Sequence, residues 1–174
     1  MILQGEKVLL RAVEPSDSKL ILEWENNVDN WQLSNTLTPF SKQTIDLYIE
    51  TAQQDIFETK QLRLMIDSIK DEKTIGAIDL FDYDPFNQRA GVGILINDNS
   101  DKRKGYAADS LSVLIEYCND ILALNQLYCD ISVNNIASIN LFEKQGFKLA
   151  GTRKKWLKTK ANKWEDILFF QYLF

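Results

Sequence analysis

Among the 174 residues there is no histidine. That absence removes Ser-His-Asp and Cys-His nucleophile arrangements and every histidine-based metal site, and no metal is expected. Cysteine is scarce too: Cys118 and Cys129 lie inside apolar stretches without CxxC spacing, so buried, reduced thiols are expected. No stretch approaches the roughly 18 apolar residues a membrane span needs, and MILQGEKVLLRA has no basic leader before a long apolar run. A cytoplasmic protein with no membrane partner is expected. Positive charge is the minority, 20 Lys and Arg against 25 Asp and Glu, so no nucleic-acid partner is expected and any basic site must be local. No repeat, low-complexity tract or linker appears, and 45% hydrophobic content over this length suits one domain spanning 1–174.

What is present alternates strands and helices. Val8 to Ala12 reads as a strand, and Ser16 or Asp17 caps a helix whose Leu20, Ile21 and Trp24 share a face. The Asn-, Ser- and Thr-rich segment from Asn26 to Lys42 reads as a loop carrying Trp31 and Phe40, either lining a pocket or stapling the loop down. A helix restarts from Ser41 or Thr44. Leu62, Leu64 and Ile66 alternate with polar neighbours, and with Thr74 to Phe81 they predict an antiparallel hairpin; Arg89 to Ile96 adds a strand containing Gly91 and Gly93. Glycines there mark a bulge, the close approach of a ligand or simple crowding.

Leu111, Leu114, Ile115, Cys118 and Leu122 make the apolar stripe of a long helix opening at Gly105. Leu127 to Val133 reads as a strand, Asn134 or Asn135 caps a helix that Gly146 closes, and Phe147 to Thr152 and Glu165 to Phe174 are strands joined by the basic RKKWLKTKANKW. An exposed face of the apolar strands, around Phe81 and Ile167 to Phe174, suits a homodimer.

Lys102, Arg103 and Lys104 run directly into Gly105. A helix N-terminus offers unpaired N–H groups and a positive dipole end, and a glycine there admits a phosphate, so the corner is built for a pyrophosphate. Neither GxxxxGK[ST] nor GxGxxG is present.

The stretch KRKGYA resembles the Q/R-x-x-G-x-G/A pyrophosphate loop of the GNAT N-acetyltransferases, and NNIASINLFEKQGF looks like their N-x-x-S/A-x-x-L-Y/F-x-K-x-G-F signature. RAVEPSD and GAIDLFDYD also look like the subgroup that includes ribosomal-protein-alanine and spermidine acetyltransferases. The resemblance implies an α/β (α+β) fold: a mostly antiparallel mixed sheet of six to seven strands, splayed in the middle, with about four flanking helices. It implies acetyl-CoA as co-substrate. Arg103, Lys104, Gly105, Tyr106 and Ala107, with Lys102 beside them, would hold the pyrophosphate. Ile94, Leu95 and Ile96 would pair with the pantetheine and polarise the acetyl carbonyl, Asn135 would contact the cofactor's arm, and Lys144 would reach its adenosine phosphate end.

Lys102 and Arg103 stand where the family prefers Gln or Arg often followed by glycine, which implies a somewhat altered loop geometry, and two further departures stand out. Phe142 occupies the position where many members carry a tyrosine that protonates the thiolate, and Gly91 the position of a glutamate. Ser138 is the candidate proton donor in place of that tyrosine. Asp79, Asp82 and Asp84 are the acidic candidates; Asp82 and Asp84 share a face by period two, where they would attract a cationic acceptor or relay its proton, and Trp31 is the candidate acceptor wall. The expected reaction is acetyl transfer to a small cationic amine such as a polyamine. A protein N-terminus as acceptor, or a silent acyl-CoA-binding module, are the alternatives.

Overall fold

The computed structural model describes residues 3–34, 36–159 and 161–174, with the side chains of residues 32 and 33 set aside. Met1 and Ile2 of the opening stretch, Asn35 of the expected loop and Lys160 of the basic connection lie outside the described residues. One seven-stranded sheet runs in the order β1-β2-β3-β4-β5-β7-β6. Its strands are β1 (Val8–Ala12), β2 (Leu62–Ser68), β3 (Lys73–Asp84), β4 (Arg89–Ile96), β5 (Gln126–Ser132), β6 (Lys148–Lys158) and β7 (Trp164–Leu173). Every neighbouring pair is antiparallel except β4 and β5.

Helices cover both faces because β2 to β5 carry apolar residues on both. Helix α1 (Ser18–Glu25) and α3 (Lys42–Ala52) bring Ile21, Trp24, Ile45 and Ile49 onto Met65 and Ala77. On the opposite face α5 (Tyr106–Asp120) buries Leu111, Leu114 and Cys118, and α6 (Ile136–Lys144) buries Phe142, against Ile78, Val92, Leu127 and Phe147. Burial pushes both thiols, Cys118 and Cys129, up to about 12, far from reactivity. No described helix is long and apolar enough to cross a membrane.

One helix interrupts a segment that composition reads as loop. Helix α2 (Val28–Ser34) lies inside the expected Asn26–Lys42 loop. Asn27 accepts the Asp29 N–H at 3.1 Å, so an asparagine that reads as a turn former is capping a helix. The single turn α4 (Ile56–Thr59) is capped likewise by Asp55. The basic connection is mostly strand: β6 continues to Lys158, with a bulge between Arg153 and Leu157 and Lys155 at φ +49°.

The sheet divides between β4 and β5. They pair only at Arg89–Gln126, Ala90–Leu127 and Gly91–Tyr128, after which β4 stays with β3 to Ile96 and β5 with β7 to Ser132. A V-shaped gap opens beyond Gly91.

Arg11 ties the far half together. Its guanidinium donates to both oxygens of Asp17 at 2.8 and 2.9 Å, to Asp67 at 2.7 Å and to Thr74 at 3.0 Å, joining β1, the turn before α1, β2 and β3. Burial works to raise the Asp17 pKa, but the Arg11 hydrogen bonds and the Glu14 N–H outweigh it and hold the carboxyl below its ordinary value. A lowered folded-state pKa means the stabilisation is complete above the ordinary carboxylate range and is lost as pH falls through the lowered value. Arg11→Met should cost roughly 2–4 kcal/mol in urea unfolding, because it strands buried Asp17. The difference between wild type and variant should shrink as pH falls below about 4; an undiminished difference there would exclude the Asp17 pair as its source.

Candidate active site

The corner expected to take a pyrophosphate is shaped by two left-handed residues. Arg103 has φ +64° and Gly105 φ +88°, with Lys104 between them. Gly105 is the N-cap of α5 and no side chain caps that end. Among the described residues, the N–H groups of Arg103, Lys104 and Gly105 have no protein partner. Successive bare amides ahead of a helix of this length form an anion-binding concavity.

The three cations do not act alike. Asp101, only 2% exposed, accepts from Lys73 at 2.8 Å and from Lys104 at 3.0 Å, and these bonds, Lys73 first, hold its carboxyl below the ordinary range. Lys104 is therefore drawn inward. Lys102 bonds Asn99 Oδ1 at 2.8 Å, and the Arg103 guanidinium has no protein partner among the described residues.

A groove of about 440 Å³ starts at this corner and is lined by Ile94, Leu95, Ile96, Lys102, Arg103, Gly105, Tyr106, Ala107, Asn135 and Ser138. It runs into the gap between β4 and β5, a cavity of about 460 Å³ that shares Ile94, Asn135 and Ser138 and has Phe142 on its wall. A third cavity, about 320 Å³, opens on the α1–α2 face and shares Gly93 and Ile94 with the gap. Ile94 is common to all three.

Backbone alternation gives that position its chemistry. The Asn97 N–H bonds the Ile75 carbonyl at 3.0 Å, and the Leu95 carbonyl lies so close to Gly76 that a Cβ there would overlap it. Leu95 therefore faces β3, and the N–H and C=O of Ile94 and Ile96 face the gap, where β5 has already left. An extended ligand laid along β4 would find these groups unpaired, and an N–H at Ile94 would polarise a carbonyl placed against it.

The third cavity holds an ion cluster. Arg63 donates to both oxygens of Asp79 at 2.7 and 3.0 Å and to Glu25 at 2.7 Å. Two carboxylates against one guanidinium leave an excess negative charge, walled by Trp24, Asn30 and Phe81.

Several expected site residues serve other roles. Asp79 does line the third cavity, paired with Arg63 rather than free. Asp84 accepts from the Asn87 N–H and side-chain amide, and from Arg89, closing the turn to β4. Asp82, at φ +50° in a bulge between Phe81 and Asp84, accepts from Tyr128 Oη at 3.3 Å; the bulge breaks the alternation that would place it beside Asp84. Trp31 donates to the Glu25 carbonyl at 2.8 Å, fastening α2 to α1, and does not line the acceptor-side cavity. Lys144 is exposed in the last turn of α6, outside the groove lining. Asn135 caps α6 by accepting the Ser138 N–H at 3.2 Å, and the Ser138 hydroxyl has no protein partner among the described residues.

Sequence reasoning missed Glu25, Arg63 and Asp130. Asp130 lines the gap and pairs with Arg153 at 2.5 Å. Its signal was present, since Tyr128, Asp130 and Ser132 alternate with buried Leu127, Cys129 and Ile131. No group of three or more potential metal ligands occurs among the described residues.

Residues 7–148 match the family model described as the acetyltransferase (GNAT) domain. The chain belongs to the GNAT family. It is, by that membership, an acetyl-CoA-dependent acyltransferase. Over 95% of its length and 93% of the relative it is 23% identical to a probable N-acetyltransferase of Bacillus subtilis (strain 168), YjcK. Over 38% of the chain and 41% of the relative it is 31% identical to the L-amino acid N-acetyltransferase AaaT of Escherichia coli (strain K12). Its fold is like that of Vibrio cholerae spermidine N-acetyltransferase, solved in complex with CoA and spermine: TM-score 0.85, 21% identity, 97% of this chain and 96% of that one.

Two features of this GNAT chain follow from packing. Gly91 is small because the Phe81 ring lies across it, where a Cβ would overlap the ring; a Cβ at Gly93 would make only ordinary contact. Phe142 is buried edge-on to Phe147 at 4.9 Å and offers no phenol to the gap. Gly91→Ala should therefore destabilise by roughly 1–3 kcal/mol in chemical denaturation, and truncating the ring with Phe81→Ala should remove most of that penalty in the double variant. Additive costs would mean the contact is not the cause. Arg103→Gly should relieve about 1 kcal/mol of left-handed strain while removing a cation from the loop. Thermal denaturation should show an equal or higher Tm, and calorimetry a weaker affinity for CoA; a lower Tm would contradict the strain at Arg103.

Proposed function

We propose that this protein transfers the acetyl group of acetyl-CoA directly to the primary amine of a small cationic acceptor, with polyamines the leading class. The observation that carries this reading is the meeting of the three cavities at Ile94, one leading from the pyrophosphate loop and one ending in a cluster with excess negative charge. A volume of about 320 Å³ suits a small amine better than a folded protein segment. The name of the Vibrio cholerae fold relative supports the polyamine class.

In this scheme the amides of Arg103 to Ala107 hold the pyrophosphate and the Ile94 N–H polarises the acetyl carbonyl. An alkyl ammonium of pKa near 10.4 is mostly protonated at neutral pH, so its proton must leave before attack. Asp82, at the apex of the fork beside Tyr128, is the carboxylate assigned to accept it through water. The neutral nitrogen then attacks the carbonyl carbon, the C–S bond breaks, and the nitrogen's second proton passes by way of water or Ser138 to the departing thiolate, leaving the neutral amide and CoA thiol. A thiol of pKa near 8.5 is a tolerable leaving group, which makes the absence of a phenol at Phe142 bearable. Ser138, whose hydroxyl has no partner among the described residues and which lines both the groove and the gap, is the donor available to the sulfur.

The test is thiol release from acetyl-CoA with spermidine, a lysine-type amine and a peptide N-terminus, against a Gly105→Asp control. The expected outcome is release that depends on spermidine and is lost in the control. Faster release with the peptide would move the assignment to protein N-termini. CoA binding without release for any amine would replace the proposal by a silent acyl-CoA-binding module, the reading favoured by Gly91 and Phe142.

A further inference from the structure

The loop that holds the pyrophosphate is held in turn by a residue far from it in sequence. Lys7 Nζ donates to the Lys104 carbonyl at 3.0 Å, across a separation of 97 residues. The same ammonium stands 2.8 Å from where a Cβ on Gly105 would be. Glycine at this position therefore does more than admit a left-handed turn: it leaves the space that Lys7 fills.

We infer that Lys7 is a positioning residue for the CoA site, fixing the direction of the Gly105 N–H and placing a cation against the pyrophosphate loop; this rests on the acyl-CoA reading above. The argument begins with the peptide plane. Lys104 C=O and Gly105 N–H belong to one peptide unit, and no peptide bond in the described chain is cis, so the two groups point in opposite directions. Pinning the carbonyl to Lys7 turns the N–H away from Lys7. That N–H has no protein partner among the described residues, and Gly105 lines the groove.

The pin is itself anchored. Asp109, in the first turn of α5, accepts the backbone N–H groups of Glu6 at 3.2 Å, Lys7 at 2.7 Å and Val8 at 3.0 Å. Gly5 is required beside it, since a Cβ there would overlap the Asp109 carboxylate. On its other side the Lys7 carbonyl accepts the Ile69 N–H at 3.0 Å. Both backbone groups of Lys7 are thus fixed, one of them to the helix that the loop opens, so only the side chain must be ordered to reach Lys104. Lys7 also compensates for Lys104, whose own ammonium is drawn to Asp101.

Lys7→Met keeps the length of the stem and removes the donor and the charge, while Lys7→Arg keeps both. Calorimetric titration of the purified full chain with CoA should show Lys7→Met binding roughly tenfold more weakly than wild type and Lys7→Arg within about threefold of wild type. The Tm of the ligand-free protein should be the same in all three, as expected for an exposed side chain. Lys7→Met binding within about twofold of wild type overturns the inference. So does equal weakening in both variants, or a drop in Tm that accounts for the loss. Wild-type protein that fails to bind CoA at all overturns the acyl-CoA reading and the inference with it.

Discussion

The structure depends on a sheet that stops being one sheet halfway along β4. Past Gly91, β4 has a partner on one side only, and its outward N–H and C=O groups face a cleft instead of a strand. An unpaired backbone group costs about 1–3 kcal/mol when buried, so a fold keeps such an edge only where water or a ligand can reach it. The same departure creates the cavity and supplies its polar groups. Each half of the sheet remains secured elsewhere, β4 by its ladder with β3 and β5 by its ladder with β7, so the opening weakens neither.

Around that edge the structure sorts its charges. Asp101 and Asp109 both lie at the pyrophosphate corner and would repel an anion if they faced it. Each is instead satisfied from within the protein, Asp101 by two lysines and Asp109 by three backbone amides. On the far side of Ile94 the balance reverses, because Arg63 is outnumbered by Glu25 and Asp79. A chain of net charge −5 thus presents bare amides, Lys102 and Arg103 at one end of the cleft and a negative cluster at the other. The two ends of the cleft have opposite electrostatic preferences, the arrangement the proposed reaction would need for its two substrates.

The architecture was largely legible in the sequence, because periodicity reports burial and burial shapes these elements. The stripe from Leu111 to Cys118 and the glycine after α6 fall where expected, Gly146 at φ +95°, but α5 ends at Asp120, before Leu122, and β2 does not alternate, because Met65 is buried on the face opposite Leu64 and Ile66. Helix α2 escaped because asparagine serves equally as turn former and cap. The groove residues beside KRKGYA were found because motif and helix start coincide in the chain. Of the ion cluster in the third cavity only Asp79 was legible; Arg63 meets Asp79 and Glu25 across 16 and 38 residues, and no local pattern encodes such a meeting. Asp82 and Asp84 failed as a pair because period two holds only while the ladder stays in register, and a bulge leaves no mark in the pattern.

Gly91 and Phe81 show how packing constrains the chemistry available at the fork. An aromatic ring lies over the residue at the apex of the fork, and Tyr128 stacks edge-on to that ring at 6.0 Å while donating to Asp82. A carboxylate projecting from Gly91 itself would have to displace Phe81. The ring also lines the cavity that reaches Ile94, and an apolar wall against a bound amine would disfavour its charged form. In the proposed reaction that desolvation would do part of the work of a buried base, and Asp82, exposed and outside the lining of all three cavities, would take the proton only through intervening water.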